Sequence, residues 1–159
     1  MKEQEKNIRQ HDLSIAIGCD PAGFALKTFV VQYLKKSGYH NVIDVGCESV
    51  DEGFFAPVGK KVADLVGSGE YHRGILLCGT GQGMAMVANK VRGVRAALVF
   101  DIFPAVLSRE HNNSNILCTG GWMIDEDKAV KMIEAWLFAG YNGLYDEGME
   151  LMAQYEEGR

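Results

Sequence analysis

Cys78 closes the apolar run Gly74-Ile75-Leu76-Leu77 and is followed at once by Gly79-Thr80-Gly81-Gln82-Gly83. That order puts a thiol at a strand end, against a glycine-rich turn and the start of a helix. A helix N-terminus stabilises a thiolate. A thiolate so placed can take a proton from carbon, while neighbouring amides hold the oxygen on which negative charge develops. Glycines let a backbone approach a ligand closely, and the amides beyond them make an anion site. The same residues also suit a buried structural thiol and a tight strand-to-helix turn, and spacing alone does not choose between these. The G-x-G-x-G spacing is not the G-x-G-x-x-G of a dinucleotide fingerprint, and the Lys-Ser/Thr end of a P-loop is missing.

Two further groups can move protons. Asp20 follows the run Leu13 to Gly18, after Cys19. A carboxylate there can accept a hydroxyl hydrogen bond or act as an acid–base group. It also suits the cap of a helix beginning near Ala22 with Pro21 in its first turn, and both roles can hold together. Arg109-Glu110-His111-Asn112-Asn113-Ser114-Asn115 is a polar cluster. Histidine titrates near neutrality and can pass a proton to a sugar ring oxygen; a solvated helix end would suit the same residues. His11, His40 and His72 read as surface or leader residues. Without a second His near His111, or carboxylates at ligand spacing, the pattern argues against a metal site.

The elements that must hold these groups alternate. Strand-like runs at 13–18, 41–46, 74–78, 94–99 and 115–118 are separated by helical spacing at 22–37, 58–66, 83–90 and 101–109, with a last helix at 125–138. Strands alternating with helices imply an α/β fold with a parallel sheet covered on both faces. In such sheets ligands bind beyond the carboxyl ends of the strands, near a switch in strand order. Cys19 to Pro21, Cys47 to Ala56, Cys78 to Gly83, Phe100-Asp101 and Thr119 to Trp122 follow the strands and are the segments to inspect.

The chain has 159 residues, a formal net charge of −5, 47% hydrophobic and 23% charged residues, which suits one globular domain. Residues 1–12 read as a polar, disordered leader, 13–141 as the domain, and 142–159 as an acidic tail, helical or frayed, able to pack on a partner subunit. The acidic balance argues against a nucleic-acid partner, and no apolar run reaches the roughly 20 residues that span a membrane. Cys19, Cys47, Cys78 and Cys118 form no C-x-x-C pair; a reducing cytoplasm is the simplest compartment.

Several motifs in one order resemble the ribose-5-phosphate isomerase B and galactose-6-phosphate isomerase family. They are Gly18-Cys19-Asp20 with Gly23-Phe24 and Leu26-Lys27, then Cys78-Gly79-Thr80-Gly81-x-Gly83 with Ala88-Asn89-Lys90. Gly93-Val94-Arg95-Ala96-Ala97 and Ser108-Arg109-Glu110-His111-Asn112-x-x-Asn115 continue them. The resemblance covers roughly Ile15 to Gly143. It implies a Rossmann-like three-layer α/β/α sandwich with a five-stranded, mostly parallel sheet. It implies an aldose–ketose isomerase working without metal or cofactor through a cis-enediolate, as a homodimer or homotetramer whose site is shared between subunits. By position, Cys78 would move the proton between C1 and C2, with Thr80 assisting. The amides of Gly79, Gly81 and Gly83 would hold the enediolate oxygen, and Asp20 the sugar hydroxyls. His111 would open the ring and Asn112 contact the sugar, both from the partner subunit. Some family members carry a catalytic Glu where this chain has Met84, so this chain resembles the Cys type.

The departures concern the phosphate. Pro21 stands where the family has a phosphate-holding His, and Trp122, Tyr145 and Met149 align with its phosphate-gripping arginines. Phe55-Ala56 replaces a Tyr-Pro pair. The resemblance therefore keeps the proton-transfer groups and loses the clamp. The substrate is expected to be an unphosphorylated or differently substituted sugar, with Trp122 and Tyr145 against it. Otherwise Lys60, Lys61, Lys90 or another arginine holds a phosphate. A non-catalytic sugar-binding protein on the same fold is the alternative.

Overall fold

β1 (Ile15–Cys19), β2 (Val42–Asp44), β3 (Arg73–Cys78), β4 (Ala96–Leu98) and β5 (Ile116–Gly120) form one sheet in the order β2-β1-β3-β5-β4. Every pairing is parallel, so the sheet is wholly and not mostly parallel. The computed structural model describes residues 10–50 and 53–158; the leader expected over 1–12 lies outside them as far as residue 9. The three inner strands, β1, β3 and β5, are buried at every position, as strands covered on both faces must be.

α1 (Phe24–Lys36), α2 (Phe55–Gly67), α3 (Gln82–Ala88), α4 (Ile102–Glu110) and α5 (Glu126–Phe138) supply the cover. Successive strand residues point to opposite faces. Ile15, Ile17, Ile75, Leu77 and Leu117 therefore pack with α1, α4 and α5 through Leu26, Val30, Ala105, Met132 and Trp136. Ala16, Leu76, Cys78, Ile116 and Cys118 pack with α2 and α3 through Val62, Val66, Met84 and Ala88. These are the three layers of the sandwich. Trp136 is fully buried, and its indole nitrogen donates to the Ser114 hydroxyl at 2.8 Å, so its polar edge is satisfied.

α2 begins at Phe55, three residues before the helix expected at Val58. Pro57 falls in the first helical turn, where the missing N–H costs nothing. β5 runs on to Gly120, so Thr119 and Gly120 belong to the strand and not to the loop after it. His72 is half-buried and not a free surface residue: its Nδ1 accepts from the Ser14 amide at 3.0 Å and meets the Ser14 hydroxyl at 2.7 Å.

α6 (Asp146–Glu157) buries no residue. It is tied to the rest by Glu157 on Arg92 at 3.2 Å, by the Gly93 amide on Glu156 at 3.1 Å, and by the Tyr141 hydroxyl on Asp146 at 2.8 Å. No helix among the described residues is long and apolar enough to cross a membrane.

Candidate active site

Strand order reverses at β1. The chain passes from β1 to β2 on one side, then crosses to β3 on the other. The carboxyl ends of β1 and β3 flank the resulting crevice, which is where such sheets bind ligands. Cys78 ends β3 there, and Asp20 follows β1 with its amide donating to the Leu77 carbonyl at 3.2 Å. The topology thus brings together two of the groups singled out in the sequence. Asp20 also serves as a cap, because its Oδ1 accepts from the Gly23 amide at 3.2 Å at the start of the 3-10 turn Pro21–Gly23.

The Cys78 thiol is buried on the α2–α3 face, and the Gly81 amide donates to its Sγ at 2.9 Å. An N–H aimed at sulfur stabilises negative charge there. Gly81 therefore serves the thiol in this state. It takes φ +75 at the cap of α3, a left-handed conformation that suits glycine. Cys118, on the next strand, lies in the same cluster; burial first, and then the Cys78 sulfur, push its thiol up.

The glycines of this loop are demanded by packing, whatever the loop binds. A Cβ at Gly79 would lie 2.6 Å from the Trp122 ring, one at Gly81 2.7 Å from Leu98, and one at Gly83 3.0 Å from the Phe55 ring. Trp122 and Phe55 thus flank the Cys78 loop on two sides, and Trp122 remains 74% exposed. Leu98 has no counterpart among the residues picked from the sequence. Three alternating glycines carry a signal that something packs on them, but not what. Gly120 is the tightest point: a Cβ there would collide with the Gly79 carbonyl and lie 2.5 Å from the Thr80 Cα. Gly120→Ala is expected to cost about 1–3 kcal/mol by overpacking and to push the loop off β5. A fall in the urea midpoint at unchanged m-value would show it.

The second group of site residues lies at the other end of the sheet. α4 starts after β4, with Asp101 capping it through the Ile102 amide at 2.7 Å, and returns to the amino end. Lys128 at 2.8 Å holds the Asp101 carboxyl below the usual range, helped by that amide. His111 caps the far end of α4, and Asn112 follows it. Most of the polar cluster around them is scaffold rather than solvated surface. The buried Arg109 donates to Asn113 Oδ1 at 2.9 Å and to the Ser114 carbonyl at 2.5 Å. Ser108 and Ser114 hydroxyls meet at 2.8 Å, and Asn115 bonds the Arg95 amide at 2.7 Å and the Gly93 carbonyl at 2.8 Å. Asn113 takes φ 48 to complete the turn. The His111 ring packs edge-on against Tyr145, with centroids 5.1 Å apart.

Five paired positions of β3 and β5 separate the two ends, about 16 Å of strand. Within one chain, the candidates Cys78, Thr80, Asp20 and Trp122 lie at the carboxyl end of the sheet, and His111, Asn112 and Tyr145 at the amino end. Among the described residues no group of three or more His, Cys, Asp or Glu side chains is arranged to hold a metal ion.

The fold is thus a wholly parallel α/β sandwich of Rossmann-like type, with a thiol and a carboxylate at its switch point and an amide on the thiol. A family model described as Ribose/Galactose Isomerase matches residues 15–148. The chain is 38% identical over 146 residues to ribose-5-phosphate isomerase B of Escherichia coli, covering 91% of this chain and 97% of that one. It is 40% identical over 139 residues to a 4-deoxy-4-sulfo-D-erythrose isomerase of a Clostridium species, covering 85% of each. The solved structure of Clostridium thermocellum ribose-5-phosphate isomerase B superimposes with a TM-score of 0.89 at 39% identity, covering 92% of this chain and 99% of that one. The chain belongs to the ribose/galactose isomerase family. It is an enzyme, an aldose–ketose isomerase, and the alternative of a non-catalytic sugar-binding protein is set aside.

Proposed function

We propose that Cys78 is the base of this isomerase, and that its substrate is an unphosphorylated or differently substituted sugar rather than ribose 5-phosphate. The observation that carries the first part is the Gly81 amide on the Cys78 sulfur at the switch point, beside Asp20. His111 with Asn112, from a second copy of the chain, protonates the ring oxygen as the C1–O ring bond breaks; the anomeric hydroxyl gives its proton to solvent and becomes the carbonyl, and Asp20 takes a hydrogen bond from another sugar hydroxyl. The Cys78 thiolate removes the proton from C2 of the open aldose. The electron pair moves to the C1–C2 bond and the carbonyl oxygen takes the charge, giving a cis-enediolate held by loop amides. Thr80 relays a proton between the two oxygens. Cys78 then returns its proton to C1, and the ketose forms. Candidate groups at opposite ends of one sheet support a homodimer or homotetramer in which each site draws on two copies.

The second part rests on the cations. Bidentate grip of a phosphate is the work of arginine, and the described arginines already have partners. Arg73 donates to the His72 carbonyl, Arg92 to Glu157, Arg95 to the Asn113 and Gly93 carbonyls, and Arg109 to Asn113 and Ser114. Lys60, one candidate substitute, pairs with Asp64 at 2.6 Å. Trp122 offers instead an exposed aromatic face beside Cys78, and Tyr145 an aromatic ring beside His111. A sugar ring or an uncharged chain suits both. The sulfonated substrate in one relative's name is consistent with a variable handle in this family.

Proton NMR in deuterated water tests both parts. Ribose 5-phosphate is compared with a panel of unphosphorylated aldoses and ketoses, with Cys78→Ala as control. The expected result is Cys78-dependent loss of the C2 proton signal from a free sugar and none from ribose 5-phosphate. Cys78-dependent turnover of ribose 5-phosphate would overturn the substrate reading.

A further inference from the structure

Two thiols have no part in the proton transfer. Cys19 closes β1 and Cys47 lies three residues beyond β2; their Sγ atoms are 3.3 Å apart, both are free, and both are buried. The backbone fixes them as neighbours. The Val45 amide donates to the Ile17 carbonyl at 2.9 Å and the Cys47 amide to the Cys19 carbonyl at 3.2 Å, so the pairing of β1 with β2 continues past the end of β2. Gly46 permits this, because a Cβ there would lie 2.5 Å from the Cys19 amide nitrogen. Adjacent strands stand about 4.8 Å apart, within the roughly 4.4–6.8 Å of Cα separation that a disulfide spans.

A buried cation sits beside the pair. Lys27 donates to the Cys47 carbonyl at 2.8 Å and pairs with Asp44 at 2.8 Å, and it is almost fully buried. Burial pushes the Cys19 thiol up, and the Lys27 charge opposes that push. Cys47 is 7% exposed and Cys19 0%, so Cys47 is the member of the pair on the solvent side.

We propose that Cys19 and Cys47 form a reversible dithiol–disulfide site whose oxidant is a hydroperoxide. The Cys47 thiolate, having lost its proton to solvent, attacks one peroxide oxygen. The O–O bond breaks, hydroxide leaves, and Cys47 becomes a sulfenic acid. The Cys19 sulfur then attacks the Cys47 Sγ, the S–O bond breaks, and hydroxide departs with the Cys19 proton as water. In sum two thiols give up two electrons and two protons, and hydrogen peroxide becomes two waters. An added dithiol reverses the step by exchange. The bond would tie the end of β1 to the segment beyond β2, on one flank of the switch point: Asp20 follows Cys19, and the segment after Cys47 leads to Phe55 beside the Cys78 loop.

The test needs no sugar, so it stands apart from the substrate reading. The native full chain is treated with hydrogen peroxide, quenched, denatured, alkylated, digested and mapped by mass spectrometry. A peptide pair joined through Cys19 and Cys47 is expected, lost after dithiothreitol and absent from Cys47→Ser, in which Cys19 is alkylated. Cys78, oxidised in the same sample, shows that peroxide reached the protein. Full alkylation of Cys19 and Cys47 once Cys78 has been oxidised would overturn the proposal. So would Cys47 joined to Cys78 or Cys118 in place of Cys19.

Discussion

Cys78→Ala is expected to remove about 10²–10⁴-fold from kcat on the sugar that the wild-type enzyme turns over, the range that a positioned general base contributes. That corresponds to about 3–5 kcal/mol of lost transition-state stabilisation. The fold should persist. The change deletes one sulfur from a cluster that keeps Leu76, Met84, Cys118 and Ile116, a cost on the order of 1 kcal/mol. KM should hardly move, because the thiol acts on a carbon-bound proton in the transition state, and the sugar is gripped by other groups. Cys78→Ser should be almost as slow, since a hydroxyl gives up its proton far less readily than a thiol. Full kcat in Cys78→Ala with an unchanged melting curve would remove Cys78 from the mechanism and leave it a buried structural thiol.

Much of this geometry was legible in the sequence, for reasons specific to the residues. Short apolar runs ending in Cys19 and Cys78, each followed by glycine or a capping Asp, announce strand ends in an alternating fold, and the parallel sheet bears this out. The crevice between β1 and β3 follows from strand order, which no local pattern encodes, yet the reading of the post-strand segments found both of its flanks. Packing that depends on long-range contact was not legible. Gly79, Gly81 and Gly83 read as a close approach of backbone to a ligand, but nothing local shows that Trp122, Leu98 and Phe55 come from three other elements to pack against them. The polar stretch from Ser108 to Asn115 reads equally as solvated surface. Only the fold places Trp136, from α5, and Arg95, from the entry to β4, against it. Those contacts consume Ser108, Arg109, Asn113, Ser114 and Asn115 as scaffold. His111 and Asn112 are left at the turn they build.

Mixing two inactive variants is expected to restore activity. Cys78→Ala destroys the half-site at the carboxyl end of the sheet, and His111→Ala the half-site at the amino end. If each site joins Cys78 of one copy to His111 of another, each variant alone has two damaged sites per pair. A pair containing one chain of each kind has one site with both lesions and one with neither. Random reassociation of equal amounts makes half of the pairs mixed, so about a quarter of wild-type activity should return. The chains can be co-expressed with different tags, or unfolded together in urea and refolded. No rearrangement within a chain substitutes for this, because the strands between Cys78 and His111 are the buried centre of the sheet. Tyr145, packed on the His111 ring, should travel with that half. Tyr145→Ala mixed with Cys78→Ala should then recover activity, whereas Trp122→Ala mixed with Cys78→Ala should not, since Trp122 lies on the Cys78 loop of its own chain. Absence of recovery in every mixture, with mixed pairs demonstrated by the tags, would mean that each site is built from one chain and that His111 acts elsewhere.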